Sequence, residues 1–304
     1  MQSLLTLQDL HSETIEKILL DAGSMKIMKN SPDWQKSWNN CLSGKNIILY
    51  FEKPSLRTHI TFDIAVKNLG GNPIYFDNSK QMGREPDKDI IRNITRWADG
   101  IVARVYSHET LATFVKEGTI PVINALSDMY HPCQALADYM TIKEITGKVY
   151  GGIKVAYVGE PNNVSNSLMI CGSKLGIKMF KIITPESNKQ DIKTLEYCKS
   201  INNNRVMITE NLDMLQDCDV IYCDTWCSMG DNTPVEEKVD KYLPYQVNSK
   251  LLNYLNNIPF VLHCLPCHRG QEITDDVIEK HPEIYQLAEN RLWTEMALLY
   301  RLFR

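Results

Sequence analysis

The sequence predicts an α/β protein of two domains, each built on a parallel sheet flanked by helices. Three observations predict it. Short runs rich in β-branched and aromatic residues recur from Asn46 to about Cys264, and they are continuously apolar rather than alternating, as strands covered on both faces are. Helical patterns separate them, such as Phe62, Ala65, Val66 and Leu69 at i, i+3, i+4 and i+7. Finally, 304 residues exceed one ordinary core and suit two domains of roughly 150. Strands alternating with helices require crossover connections, hence parallel sheets.

The first series of strands is NIILYF (46–51), PIYF (73–76), GIVARV (100–105) and PVIN (121–124). The second is IKVAYVG (153–159), KMFKIIT (178–184), DVIYC (219–223) and FVLHCL (260–265). Between the series, a helical stretch from His131 to Thr146 runs into the Gly-rich turn GKVYGG (147–152), the natural division. The expected domains are therefore 1–147 and 148–287. A last helix, 288–304, carries Leu292, Met296, Leu299 and Leu302 or Phe303 on one side and is expected to pack back on the first domain.

Composition narrows the function classes. A net charge of −4 gives no basic footprint for nucleic acid or an anionic membrane. No apolar run approaches the roughly 18 residues that span a bilayer. The N-terminus lacks a positive n-region with a long apolar core, and the nine cysteines are odd in number and scattered. A cytosolic, reduced protein is expected.

Ligands of open parallel sheets bind beyond the carboxyl ends of strands. The first strand runs into FEKPSLRTHITF (51–62), a strand-turn-helix with Ser55 at the N-cap. There the free N–H groups and dipole of a helix start, with Ser55, Arg57 and Thr58, form a candidate anion site; simple capping by Ser55 with a solvated Arg57 is the plain alternative. Arg104 ends the third strand, a position that a charged residue takes when it reaches a ligand or partner. His131 and Gln134, three apart at a helix start, can meet one carbonyl oxygen or sit at a surface terminus. In the second half, VGEPNNVSNSLM (158–169) lacks the dinucleotide glycine pattern, with Pro161 where the second Gly would stand, and instead offers Asn162 and Asn163. Asp224 follows a strand and can pair with an ammonium or cap a turn. Cys264-Leu-Pro-Cys267-His268 matches haem-attachment spacing, but no export signal accompanies it and no second ligand pair completes a zinc site.

The order of these motifs is specific. Ser55-Leu56-Arg57-Thr58, Arg104, His131-Pro-x-Gln134, Asp224-x-x-x-Ser228-Met229-Gly230 and His263-Cys264-Leu265-Pro266 resemble the aspartate/ornithine carbamoyltransferase family, from Thr6 to the closing Glu289-Asn290-Arg291. The Ser-Met-Gly and His-Cys-Leu-Pro segments are similar to its ornithine branch. The resemblance implies two α/β domains joined by interdomain helices. It implies that Ser55, Leu56 (through its N–H), Arg57, Thr58, Arg104, His131, Gln134 and Arg291 hold carbamoyl phosphate, with Cys264 and Leu265 beside the reacting centre. Asn163, Asp224, Ser228 and Met229 would bind ornithine, and Arg104, His131, Asp224 and Cys264 would be catalytic. It also implies a homotrimer in which a neighbour lends the loop around Gln81. Leu56 and His59 depart from the family's Ser-Thr-Arg-Thr-Arg. Leu56 resembles the branch acting on N-acylated ornithines, which lacks the Ser-Met-Gly loop that stands here.

The implied reaction is carbamoyl transfer to the side-chain amine of ornithine, giving citrulline in arginine biosynthesis or, in reverse, in citrulline breakdown; an N-acylated ornithine or putrescine is the alternative acceptor. No metal or organic cofactor is expected, because phosphate leaves readily once its charge is held. An alkyl amine with a pKa of about 10.4 must first lose a proton, at roughly 4–5 kcal/mol at neutral pH. Cys264 coupled to Asp224 is the expected device.

Overall fold

The computed structural model describes residues 2–31, 34, 38, 40–79, 85–185, 191–227 and 233–304. The chain divides into two compact units, Met1–Ala137 with Glu289–Arg304, and Asp138–Ala288. The first break falls inside a helix rather than at the 147–152 turn. Gly147, with φ +63°, follows the end of that helix.

The first unit opens with α1 (Ser12–Met28) and continues β1 (Asn46–Phe51), α2 (Leu56–Asn68), β2 (Asn72–Asp77), α3 (Asp87–Ile94), β3 (Gly100–Arg104), α4 (His108–Glu117), β4 (Val122–Leu126) and the start of α5 (Pro132–Thr146). Among the described residues its sheet has the order β2-β1-β3-β4, parallel throughout. The inner strand β3 is almost wholly buried and so is β4, whose edge is covered by Leu4 (its N–H donates to the Val122 carbonyl at 2.8 Å), whereas the other edge strand, β2, is exposed or half-buried along its length. Strands covered on both faces are buried in this way, and one rim of this parallel sheet stays open. On one face Tyr50, Ile101, Ala103 and Val122 pack with Ile91 and Ile94 of α3 and Leu111 and Phe114 of α4.

The second unit continues β5 (Lys154–Val158), α6 (Asn163–Lys174), β6 (Met179–Ile183), α7 (Ile192–Ile201), β7 (Val206–Thr209), β8 (Val220–Cys223), α8 (Val235–Tyr242), α9 (Ser249–Tyr254), β9 (Phe260–His263) and α10 (Asp275–Lys280). Its five strands run parallel in the order β7-β6-β5-β8-β9. Its core joins Ala156, Val158, Ile183, Ile221 and Val261 of the sheet to Leu252, Val277 and Ile278 of the covering helices. α6 is buried from Val164 to Ser173. Small residues allow this: a Cβ on Gly172 would lie 2.0 Å from the Tyr139 hydroxyl.

The last helix, α11, runs from Glu283 to Phe303. Its part from Glu289 belongs to the first unit, where Arg301 Nε donates to Asp21 (2.6 Å) and Lys26 Nζ to Asn290 (2.8 Å).

Candidate active site

In the first unit, the site begins where β1 and β3 end side by side. Phe51 and Arg104 are register partners, and the next N–H, of Glu52, donates to the Arg104 carbonyl at 2.9 Å. The Glu52 carboxylate accepts from the Tyr106 N–H at 2.7 Å, so the loops leaving the two strands are tied together. A register shift against β4 falls between Ala103 and Arg104. Such an irregularity re-aims a side chain at a strand end.

From there the chain turns into α2. Ser55 has the extended backbone of an N-cap, yet its hydroxyl makes no capping bond. Ser55 thus leaves the positive end of the helix open at its hydroxyl, and a helix start of this kind suits an anion. Leu56 is 69% exposed. Thr58 is buried, and Arg291 Nη2 of α11 donates to its Oγ1 at 2.7 Å. His131 and Gln134, at the start of α5, are also buried, which removes the surface-terminus reading. Burial pushes the His131 imidazole well below its ordinary pKa, and the Arg291 and Arg104 charges push it the same way. Two guanidiniums therefore act on one neutral imidazole. His59 stacks on Tyr75, centroids 3.9 Å apart.

In the second unit, the register of β8 with β9 does the positioning. Cys223 pairs with His263, so the next residues, Asp224 and Cys264, leave adjacent strands together. Cys264 Sγ donates to Asp224 Oδ1 at 3.1 Å, and Asn162 Nδ2 donates to Oδ2 at 2.7 Å. Asn162 is itself fixed: its Oδ1 accepts from the N–H groups of Val164 (2.9 Å) and Ser165 (3.2 Å) at the start of α6. Asn163 is the first residue of that helix. The preceding turn passes Gly159 at φ +113° against the Trp226 indole, where a side chain would meet Nε1 at 3.0 Å.

Leu265 has φ +58°, and its N–H donates to His263 Nδ1 at 2.8 Å. The proton of that ring is then on Nε2, which faces Glu272 Oε1 at 3.2 Å in full burial. Among the described residues, Asp224, His263 and Cys264 offer ligand atoms within 4.8 Å of one another. Those atoms already bond to each other, to Asn162, Leu265 and Glu272, and serve to fix the loop. His268 of the haem-like spacing approaches Thr225 Oγ1 at 3.1 Å.

The structure thus brings Thr58, Arg104, His131 and Arg291 into mutual influence in one unit, and Asp224 and Cys264 into contact in the other. Gln81, Ser228 and Met229 lie outside the described residues. The sequence offered Asn162 only as an amide for a polar ligand and not as the partner of Asp224; an asparagine just before a helical run is the signal that marks it as an N-cap. Sequence reasoning also missed Glu272 and the buried Glu295, 3.6 Å from Arg291.

Two family models cover the chain: the carbamoyl-P binding domain of aspartate/ornithine carbamoyltransferase matches residues 2–144, and the Asp/Orn binding domain matches 151–302. The chain belongs to the aspartate/ornithine carbamoyltransferase family. An ornithine carbamoyltransferase of Vibrio sp. (strain 2693) is 44% identical over 310 residues, covering all of both chains. The anabolic ornithine carbamoyltransferase of Pyrococcus furiosus is 41% identical over 98% of this chain and 95% of its own. Among solved structures, ornithine carbamoyltransferase from Pyrococcus furiosus superposes with a TM-score of 0.90 at 40% identity, covering 98% of this chain and 96% of that one. The anabolic enzyme from Campylobacter jejuni gives 0.90 at 34%, covering 99% of each. Against this carbamoyltransferase frame, Arg291 falls in the stretch matched by the second domain model, yet bonds Thr58 in the first unit.

Proposed function

We propose that this chain transfers the carbamoyl group of carbamoyl phosphate to the side-chain amine of ornithine, giving citrulline and phosphate. One observation carries the reading: a carboxylate and a thiol, Asp224 and Cys264, share a hydrogen bond at register-paired strand ends. An ammonium needs such a pair, an anion to hold it and a group to manage its protons. The names of the relatives support ornithine as the acceptor.

On the donor side, Ser55, Leu56, Arg57, Thr58, Arg104 and Arg291 bind the phosphate, and His131 and Gln134 meet the carbamoyl group. Guanidiniums hold the negative charge that moves onto the leaving phosphate, where fixed donors act most strongly. The neutral imidazole donates a hydrogen bond to the carbonyl oxygen without giving up a proton. In the transfer, the new C–N bond forms as the C–O bond to phosphate breaks. The ammonium loses two protons, one to the departing phosphate and one to solvent, so charge and atoms balance. Cys264, with the Leu265 backbone, adjoins the amine, while Asn163, Asp224, Ser228 and Met229 bind the amino acid.

The protein works as a homotrimer in a reducing cytosol, with Gln81 lent by a neighbouring subunit. Exposed Ile60 and Ile64 on α2, and Ile74 and Tyr75 on the edge strand β2, support an apolar face for that assembly. No described helix is long and apolar enough to cross a membrane. Citrulline-forming rates with ornithine, N-acetylornithine and putrescine test the acceptor: ornithine is expected to lead, and a preference for either other amine contradicts the reading.

A further inference from the structure

Glu295 lies wholly buried in α11, one helical turn beyond Arg291. Its Oε1 is 3.6 Å from Arg291 Nη2, the same nitrogen that donates to Thr58 Oγ1. The guanidinium therefore stands between a buried carboxylate and the start of α2. Among the described residues, groups of two further helices face Glu295. From α2 comes Thr61, whose hydroxyl donates to the Arg57 carbonyl at 2.9 Å. From α5 comes the Cys133 thiol, which burial and the Glu295 charge both push up. Arg291 also acts, together with Arg104, on His131, whose imidazole burial and these charges keep neutral.

We propose that Glu295 tunes the donor site through Arg291, taking up a proton from solvent when the phosphate of carbamoyl phosphate engages that guanidinium. The inference rests on the reading of Arg291 as a phosphate ligand and deepens it. Without ligand, Arg291 is the cation that makes an ionised Glu295 tolerable. A phosphate group brings one or two negative charges to the same cation, and a second anion behind it is then a like charge in a poorly solvated place. Protonation removes the conflict, and the proton returns to solvent when phosphate leaves. Burial raises the Glu295 carboxyl to about 7, with Arg291 and Thr61 opposing, so the exchange falls in the working pH range.

The test compares the wild type with Glu295→Gln for carbamoyl phosphate affinity from pH 6 to 9, with proton uptake read by calorimetry in buffers of different ionisation heat. Both proteins share the titration of the phosphate itself, so the difference isolates Glu295. If binding shifts the carboxyl by one pKa unit, the wild type loses about tenfold in affinity relative to the variant as pH rises. The wild type, but not the variant, takes up a fraction of a proton near pH 7.5. Parallel pH profiles with equal uptake overturn the proposal, even if the variant melts at a different temperature. Should the variant not fold, the absence of proton uptake by the wild type at that pH overturns it equally. A wild type that neither binds nor turns over carbamoyl phosphate sinks the carbamoyltransferase reading instead.

Discussion

The side chains with the largest consequences are buried charges that share a partner. Arg291 donates to Thr58 and faces Glu295, so replacing it with Met strands a buried acid and removes the charge-assisted contact proposed for phosphate. Steady-state kinetics of Arg291→Met are expected to show KM for carbamoyl phosphate raised about 10- to 100-fold, with a small change for the amine. Glu295 also carries a stability prediction. Burial pushes its carboxyl up to about 7 from the ordinary 4.5, so the folded state favours the proton. Stability is whole below pH 4.5 and is lost as pH rises to 7, by up to about 3 kcal/mol. Thermal melts should show Glu295→Gln gaining on the wild type across that window; a constant difference contradicts it.

His131 has the opposite sign. Its pKa is depressed in the fold, so the unfolded chain binds the extra proton and stability falls as pH drops below about 6.5. A His131→Asn variant should lose less stability between pH 6.5 and 5 than the wild type in denaturant titrations. For Cys264→Ser, the pH–rate profile with ornithine should shift to a higher apparent pKa or kcat should fall; an unchanged profile removes Cys264 from proton management. The coupling of Asp224 and Cys264 was expected from the family resemblance, and the runs DVIYC and FVLHCL place both near strand ends, but that β8 and β9 are neighbours was not legible. The Thr58–Arg291 bond was not, since it joins residues 233 apart and depends on where the last helix docks.

Elements show the same division between local and tertiary causes. Burial on both faces makes an inner strand a continuous apolar run, so β1 reads at its observed bounds, Asn46–Phe51. β7 escaped because it has four residues, lies at the sheet edge and is only partly buried, with a turn at Asn203 and Asn204 in left-handed conformation before it. The start of α11 at Glu283 was also hidden, because the apolar spacing that marks it becomes regular only from Leu292. On α6, Gly172→Ala sets helix propensity against packing. Alanine gains about 1 kcal/mol in a helix interior, but its methyl would meet Tyr139 and Ile177 at 2.0 and 2.8 Å. Overpacking costs about 1–3 kcal/mol, so chemical denaturation should find the variant destabilised. Equal or greater stability would mean that α6 shifts freely.

At the scale of the whole molecule, the chain's two units each carry one half of the proposed chemistry, the phosphate-binding arginines in one and the Asp224–Cys264 pair in the other. The two sheets were legible in the two strand series. The break between compact units within α5 was not, because a helix can continue through a boundary that only tertiary packing defines. The proposed homotrimer would sediment at three times the 34.9 kDa of one chain; sedimentation at the mass of one chain contradicts it. The central claim is the transfer itself. Carbon-13-labelled carbamoyl phosphate incubated with the purified protein and ornithine tests it most directly, followed by NMR. The label should appear in the ureido carbon of citrulline, with one phosphate released per carbamoyl group transferred. Label that stays in carbamoyl phosphate or its breakdown products, or that appears on the α-amine, would contradict the account.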